Sequence, residues 1–137
     1  MADMKLKPQN DTGLTDARPR ALASAINCFT VILPSVSDSS ALTRLKGLLP
    51  EDSIFADEDI SQNLNLSEYR QAIIVGDISD RSFTVRALAL LERGHHVFAA
   101  VTTIDFSDPD QIMTFTRLTQ TGVTVTSLDA LNRELAS

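Results

Sequence analysis

Long apolar runs are missing from this sequence. Runs such as Ala72 to Val75 and Val97 to Val101 fall far short of the ~20 residues a helix needs to cross a bilayer core, so no membrane contact is expected. A basic stripe is missing as well. The formal net charge is −6, and no run of cations is placed to follow a phosphate backbone, which excludes nucleic acid as the expected partner. Cysteine is almost absent. Cys28 is alone, so no internal disulfide can form. It lies in the apolar run that begins at Ala25, with no histidine or second cysteine nearby, and reads as a buried, inert thiol. The first 20 residues lack the apolar core of a secretory signal, and a cytoplasmic location is expected.

What is present fits one domain. At 137 residues the chain matches the usual ~100–200 residues per domain. Its start is polar, with Pro8, Gly13 and Pro19 and no apolar period, which predicts a flexible arm over residues 1–24 and a folded domain over 25–137. Phe29 to Leu33 is a short apolar, β-branched run closed by Pro34, the profile of a buried strand. Ser37 to Ser40 offer N-caps for a helix whose stripe is Ala41, Leu42, Leu45, Leu48 and Leu49. Ser53 to Ala56 is a candidate short strand, and Ser61 to Ser67 carries no clear signal.

From Gln71 the alternation is regular. Gln71 to Gly76 predicts a strand, Asp77 to Ser82 a turn, and the following residues a helix to Arg93, closed by Gly94 in a left-handed conformation. Val97 to Val101 is the next strand, and Ser107-Asp108-Pro109 starts a helix with Ile112, Phe115 and Leu118 on its apolar face and Gly122 at its end. Val123 to Val125 forms the last strand, followed by a short C-terminal helix. Apolar strands alternating with amphipathic helices predict an α/β fold: a three-layer α/β/α, Rossmann-like arrangement with a mostly parallel sheet and right-handed crossovers. No internal repeat is evident.

In such sheets ligands bind beyond the carboxyl ends of the strands, so the loops after Leu33, Val75 and Val101 are the places to look. The richest is Gly76-Asp77-Ile78-Ser79-Asp80-Arg81-Ser82. There the first helical N–H groups would face a crevice and could hold an anion or an oxyanion. Gly76, Ile78, Ser79, Arg81 and Ser82 are the candidate ligand-binding residues, and the plainer role for Ser79 or Asp80 is to cap the helix. The acids Glu51, Asp52, Asp57, Glu58 and Asp59 lack the spacing of a calcium loop and read as solvated surface; no metal or cofactor is expected. His95 and His96, just past Gly94, read as surface residues at the opposite end of the sheet.

Residues 71–94 resemble the cysteine-bearing segment of the isochorismatase-like hydrolases, which include the nicotinamidases. In that family a strand ends in glycine, a turn leads into a Thr-Asp-x-Cys element, and the helix ends in another glycine. Here Gly76 stands six residues before Ser82, Ser79 and Asp80 take the threonine and aspartate positions, and Gly94 follows Ser82 by twelve residues. Asp105-Phe106-Ser107 is similar to the Asp-Phe-Ser of the isochorismatases, and Gly122 to Ser127 to the family's last strand. The likeness covers about residues 70–135. The chain is short for the family, so part of the region before Gln71 is expected to be missing.

The resemblance implies a cysteine nucleophile at the Ser82 position, an aspartate at the end of the first strand and a lysine on a later short strand. A thiol suits the first role because its pKa can be brought into the working range. Here Ser82 replaces it; Leu33-Pro34-Ser35 stands where the acid should be or, if this strand matches the family's second, the acid-bearing strand is absent altogether; and no basic residue occurs between Lys46 and Arg70. The expectation is a non-catalytic member that works by binding, through a homo-oligomer such as a dimer, a protein partner or a small-molecule ligand. One alternative is a divergent hydrolase of a small amide or vinyl ether, with Ser82 as nucleophile, Asp80, Asp77 or Asp105 as base and Arg81 as anion clamp. Another is that the N-terminal arm folds onto a partner.

Overall fold

The computed structural model describes residues 28–34, 36, 39–57 and 69–136. The expected arm, Glu58, Asp59 and the Ser61 to Ser67 stretch lie outside the described residues. The elements run β1 (Cys28–Ile32), α1 (Ser40–Leu48), a 3-10 turn (Glu51–Ser53), β2 (Ile54–Ala56), β3 (Gln71–Gly76), α2 (Arg81–Glu92), β4 (His96–Val101), α3 (Pro109–Thr121), β5 (Thr124–Ser127) and α4 (Leu128–Ala136). All five strands are parallel, in the order β2-β1-β3-β4-β5.

This order makes the sheet doubly wound. From β1 the chain moves outward to β2, and from β3 it moves the other way to β4 and β5. The helices change face with the direction of travel. Leu42 and Leu45 of α1 and Leu128 and Leu131 of α4 pack with Cys28, Ile73, Val75, Phe98 and Ala100. Phe83, Ala87 and Leu90 of α2 and Leu118 of α3 pack with Phe29, Val31, Ala72, Ile74, Val97 and Ala99. Reversing both direction and face keeps each crossover of the same hand, as the twist of parallel strands requires. Strand residues on both faces are buried because both faces are covered, which is why the strands read as continuous apolar runs rather than alternating ones. Asn132 ties the layer of α1 and α4 together, its Nδ2 donating to the Ala41 carbonyl at 2.9 Å.

The helix ends follow from single residues. Ser39 caps α1, accepting the Leu42 N–H at 3.2 Å. Asp80 caps α2 and Asp108 caps α3, with Pro109 in its first turn. Both α2 and α3 are stopped by a glycine at positive φ, Gly94 at 97° and Gly122 at 109°. The next N–H then turns back into the helix, His95 to the Leu90 carbonyl and Val123 to that of Leu118.

Two side chains differ from the sequence reading. Ile112, expected on the buried face of α3, is 39% exposed, whereas Leu118 is fully buried. An i, i+3, i+6 row drifts about 60° at each step around a helix of 3.6 residues per turn, so its first member rotates out. His95 is buried at 5% exposure. Its Nδ1 lies 2.9 Å from the Tyr69 carbonyl oxygen, and its ring meets Phe29 edge-on with centroids 5.1 Å apart. Burial lowers its pKa, opposed in part by the Tyr69 carbonyl and aided by the nearby Arg93 charge. Among the described residues no helix is long and apolar enough to cross a membrane.

Candidate functional site

The sheet order reverses between β1 and β3, and there the carboxyl ends of the strands open the crevice that ligands use in such folds. On the β1 side stand Leu33 and Pro34; the Leu33 N–H donates to the Val75 carbonyl at 3.1 Å, and its side chain is buried. No carboxylate is positioned by these residues. On the β3 side Gly76 is fully buried, and a Cβ there would lie 2.5 Å from Phe83 Cδ1 and 2.9 Å from Leu33 Cδ1. Packing therefore requires this glycine.

The turn from Gly76 into α2 is held by its own carboxylates. Asp77 Oδ1 accepts the Ser79 N–H at 3.0 Å and the Ser79 hydroxyl at 2.8 Å. The Asp80 N–H donates to the Asp77 carbonyl at 2.9 Å. Asp80 Oδ1 accepts the Ser82 N–H at 2.9 Å. The Ser79, Asp80 and Ser82 amides are thus engaged within the turn, and a second anion at this helix end would meet the Asp80 carboxylate.

The loop after β4 repeats this arrangement 28 positions further along the chain. Asp105 Oδ1 accepts the Ser107 N–H at 2.9 Å and the Ser107 hydroxyl at 2.6 Å. The Asp108 N–H donates to the Asp105 carbonyl at 3.1 Å, and Asp108 Oδ1 accepts the Asp110 N–H at 2.9 Å. The shared sequence is Asp-x-Ser-Asp, at residues 77–80 and 105–108. It is a short internal repetition of turn chemistry that a search for longer repeats passes over. Each copy leads a buried strand into a helix by an Asx turn followed by an N-cap. The hydroxyl and amide of Ser107 together hold the Asp105 carboxyl below its ordinary pKa.

The two turns open on one groove of about 540 Å³ between α2 and α3. Ile78, Ser79, Asp80, Arg81, Thr84, Val85 and Leu88 form one wall; Asp108, Asp110, Gln111, Thr114 and Arg117 form the other. Of the candidate residues, Ile78, Ser79 and Arg81 reach this groove, while Gly76 is packed in the core and Ser82 is not among the lining residues. Ile78 is 2% exposed and contributes mainly to the core. Ser82 is exposed in the first turn of α2.

One residue the sequence reading passed over is Arg86. Its Nε lies 2.8 Å from Asp57 Oδ1, each side chain 28% exposed, joining α2 to the end of β2. This is the stretch where the resemblance looks for a lysine. The cation arrives from a helix 29 residues away, which no local scan of residues 46–70 would find. A guanidinium stays protonated and cannot exchange a proton as lysine does, so its role here is an ion pair that holds β2 to α2. Among the described residues no group of three or more His, Cys, Asp or Glu side chains is gathered as for a metal ion. Cys28 is fully buried, and burial pushes its thiol up to about 11.

No protein-family model matches this sequence, and no curated protein matches it.

Proposed function

We propose that this chain is a non-catalytic relative of the isochorismatase-like hydrolases that works by binding, as an oligomeric interaction protein in the cytoplasm. The observation that carries the reading is the state of the β3–α2 turn. The amides of Ser79, Asp80 and Ser82 are already bonded to Asp77 and Asp80, and the same Asp-x-Ser-Asp bonding recurs at Asp105 to Asp108. A constellation that appears twice as a strand-to-helix connector is explained by turn and cap chemistry alone. Hydrolysis asks for more than this. A serine hydroxyl needs a placed base to become nucleophilic, and the end of β1 offers Leu33 and Pro34 in its place. The groove between α2 and α3, with apolar Val85 and Leu88 beside charges of both signs, is the surface best suited to binding.

The test is reaction of the folded chain with a fluorophosphonate, which marks activated serine hydroxyls, read by intact mass and peptide mapping. No adduct on Ser82 is expected beyond that of the denatured chain. A stoichiometric adduct on Ser82 that forms only in the folded protein would overturn the reading in favour of a hydrolase.

A further inference from the structure

Two of the exposed large apolar side chains stand on the helices that form the groove: Val85 of α2, 59% exposed, lines it, and Met113 of α3, 60% exposed, lies one helical position from the lining Thr114. Burying them is favourable for any matching surface. The charges around them select which one. Along α3, Asp110, Met113, Thr114 and Arg117 stand at i, i+3, i+4 and i+7 and so share one face of the helix. Asp110 and Arg117 are both exposed, and among the described residues neither has an ion-pair partner. Their midpoint falls between Met113 and Thr114. At 1.5 Å rise per residue each charge therefore lies about 5 Å along the helix from that point, in opposite directions.

This placement complements itself. When two α3 helices cross antiparallel about a two-fold axis through the midpoint, Asp110 of each copy faces Arg117 of the other, and Met113 lies beside the axis. A two-fold interface brings the same patch of both copies together and demands this kind of symmetry from a single surface. We infer that the α2/α3 face is an isologous interface through which two copies of this chain pair. A strongly acidic or strongly basic partner fits less well, because Arg81 and Arg117 share the groove with Asp80, Asp108 and Asp110. A small anion is disfavoured because the Asp80 and Asp108 carboxylates already occupy the starts of α2 and α3, accepting the Ser82 and Asp110 amides.

The inference rests on the interaction reading above and names its partner. Sedimentation equilibrium of the full chain across micromolar concentrations tests it. The wild-type chain is expected to be a dimer. Asp110→Arg and Arg117→Asp each set like charges against one another twice across the axis and should weaken association roughly tenfold or more. The double variant Asp110→Arg/Arg117→Asp restores both pairs with the signs exchanged and should dimerise again. Met113→Lys, which alters neither pair, should weaken the wild type and the double variant alike. Circular dichroism is expected to stay unchanged, since all three positions are exposed. A wild-type monomer throughout, a dimer indifferent to the single reversals, or a double variant that stays weakened would each overturn the interface. Hydrolysis by a dimer would overturn the non-catalytic reading and leave this surface standing; an inactive monomer would overturn this surface and the oligomeric part of the reading, and leave its non-catalytic part standing.

Discussion

Gly76→Ala is the most informative single substitution, because two accounts of that glycine predict different outcomes. In the structure a Cβ at this position would sit 2.5 Å from Phe83 Cδ1 and 2.9 Å from Leu33 Cδ1, well inside van der Waals contact. Neither neighbour can swing aside, since Phe83 is fully buried and Leu33 is 1% exposed. The backbone at Gly76 is ordinary strand, so the cost is steric rather than conformational. Overpacking of a tight core commonly costs about 1–3 kcal/mol, and with two rigid neighbours the upper part of that range is expected, about 2–3 kcal/mol. For a domain of this size that lowers Tm by roughly 8–12 °C. Phe83→Leu removes the ring edge that the new methyl group would strike. The combined variant should therefore be less destabilised than the sum of the two single changes, by about 1 kcal/mol or more. Thermal and urea unfolding followed by circular dichroism measure all three. A Gly76→Ala change within about 0.5 kcal/mol of wild type, or strict additivity with Phe83→Leu, would refute the packing argument. It would return Gly76 to the candidate ligand-binding residues.

Other predictions follow from the same contacts. Asp80→Ala and Asp108→Ala each remove an N-cap in matching surroundings and should cost about 1 kcal/mol apiece in urea unfolding; a large difference between them would deny that the two turns are equivalent. His95 has a folded-state pKa below its unfolded value of 6.5, so the unfolded chain takes up its proton first as pH falls. The stability that neutral His95 allows is complete above about 6.5 and is lost as pH drops below it. His95→Gln should flatten the acid side of a stability–pH curve, and an unchanged slope there would contradict its burial. Cys28, buried with its thiol raised to about 11, should resist a thiol reagent at neutral pH and react only on unfolding; rapid labelling of the folded chain would contradict its place under α1 and α4.

The sequence was most legible where a single residue type carries the structural reason. Gln71 to Gly76 reads as a strand because a strand covered on both faces needs apolar side chains on both. Gly94 and Gly122 read as helix stops because only glycine takes positive φ cheaply. Strand order was not legible. The crossover rule fixes hand but not which neighbour each strand joins, so the reversal between β1 and β3 emerges only from the pairing. His95 was misread because a histidine after a glycine stop is most often exposed; the ring of Phe29 and the carbonyl of Tyr69 come from distant parts of the chain. The candidate site was legible as a segment but not as a geometry. Residues 76–82 do carry the chain from β3 into α2, and helical rotation sends Arg81 to the groove and leaves Ser82 outside it. The bond from Arg86 to Asp57 was hidden by distance along the chain. The paired Asp-x-Ser-Asp turns were visible in the letters, and their shared hydrogen bonds give them meaning.

The central claim is that this fold binds without hydrolysing, and turnover tests it most directly. Isochorismate, nicotinamide and simple carbamoyl and amide substrates should be offered to the purified chain and to Ser82→Ala, beside an active isochorismatase-like enzyme as control. The account predicts no product above buffer from either chain at concentrations where the control is complete. Product formed by the wild-type chain and lost in Ser82→Ala would contradict it and establish Ser82 as a working nucleophile.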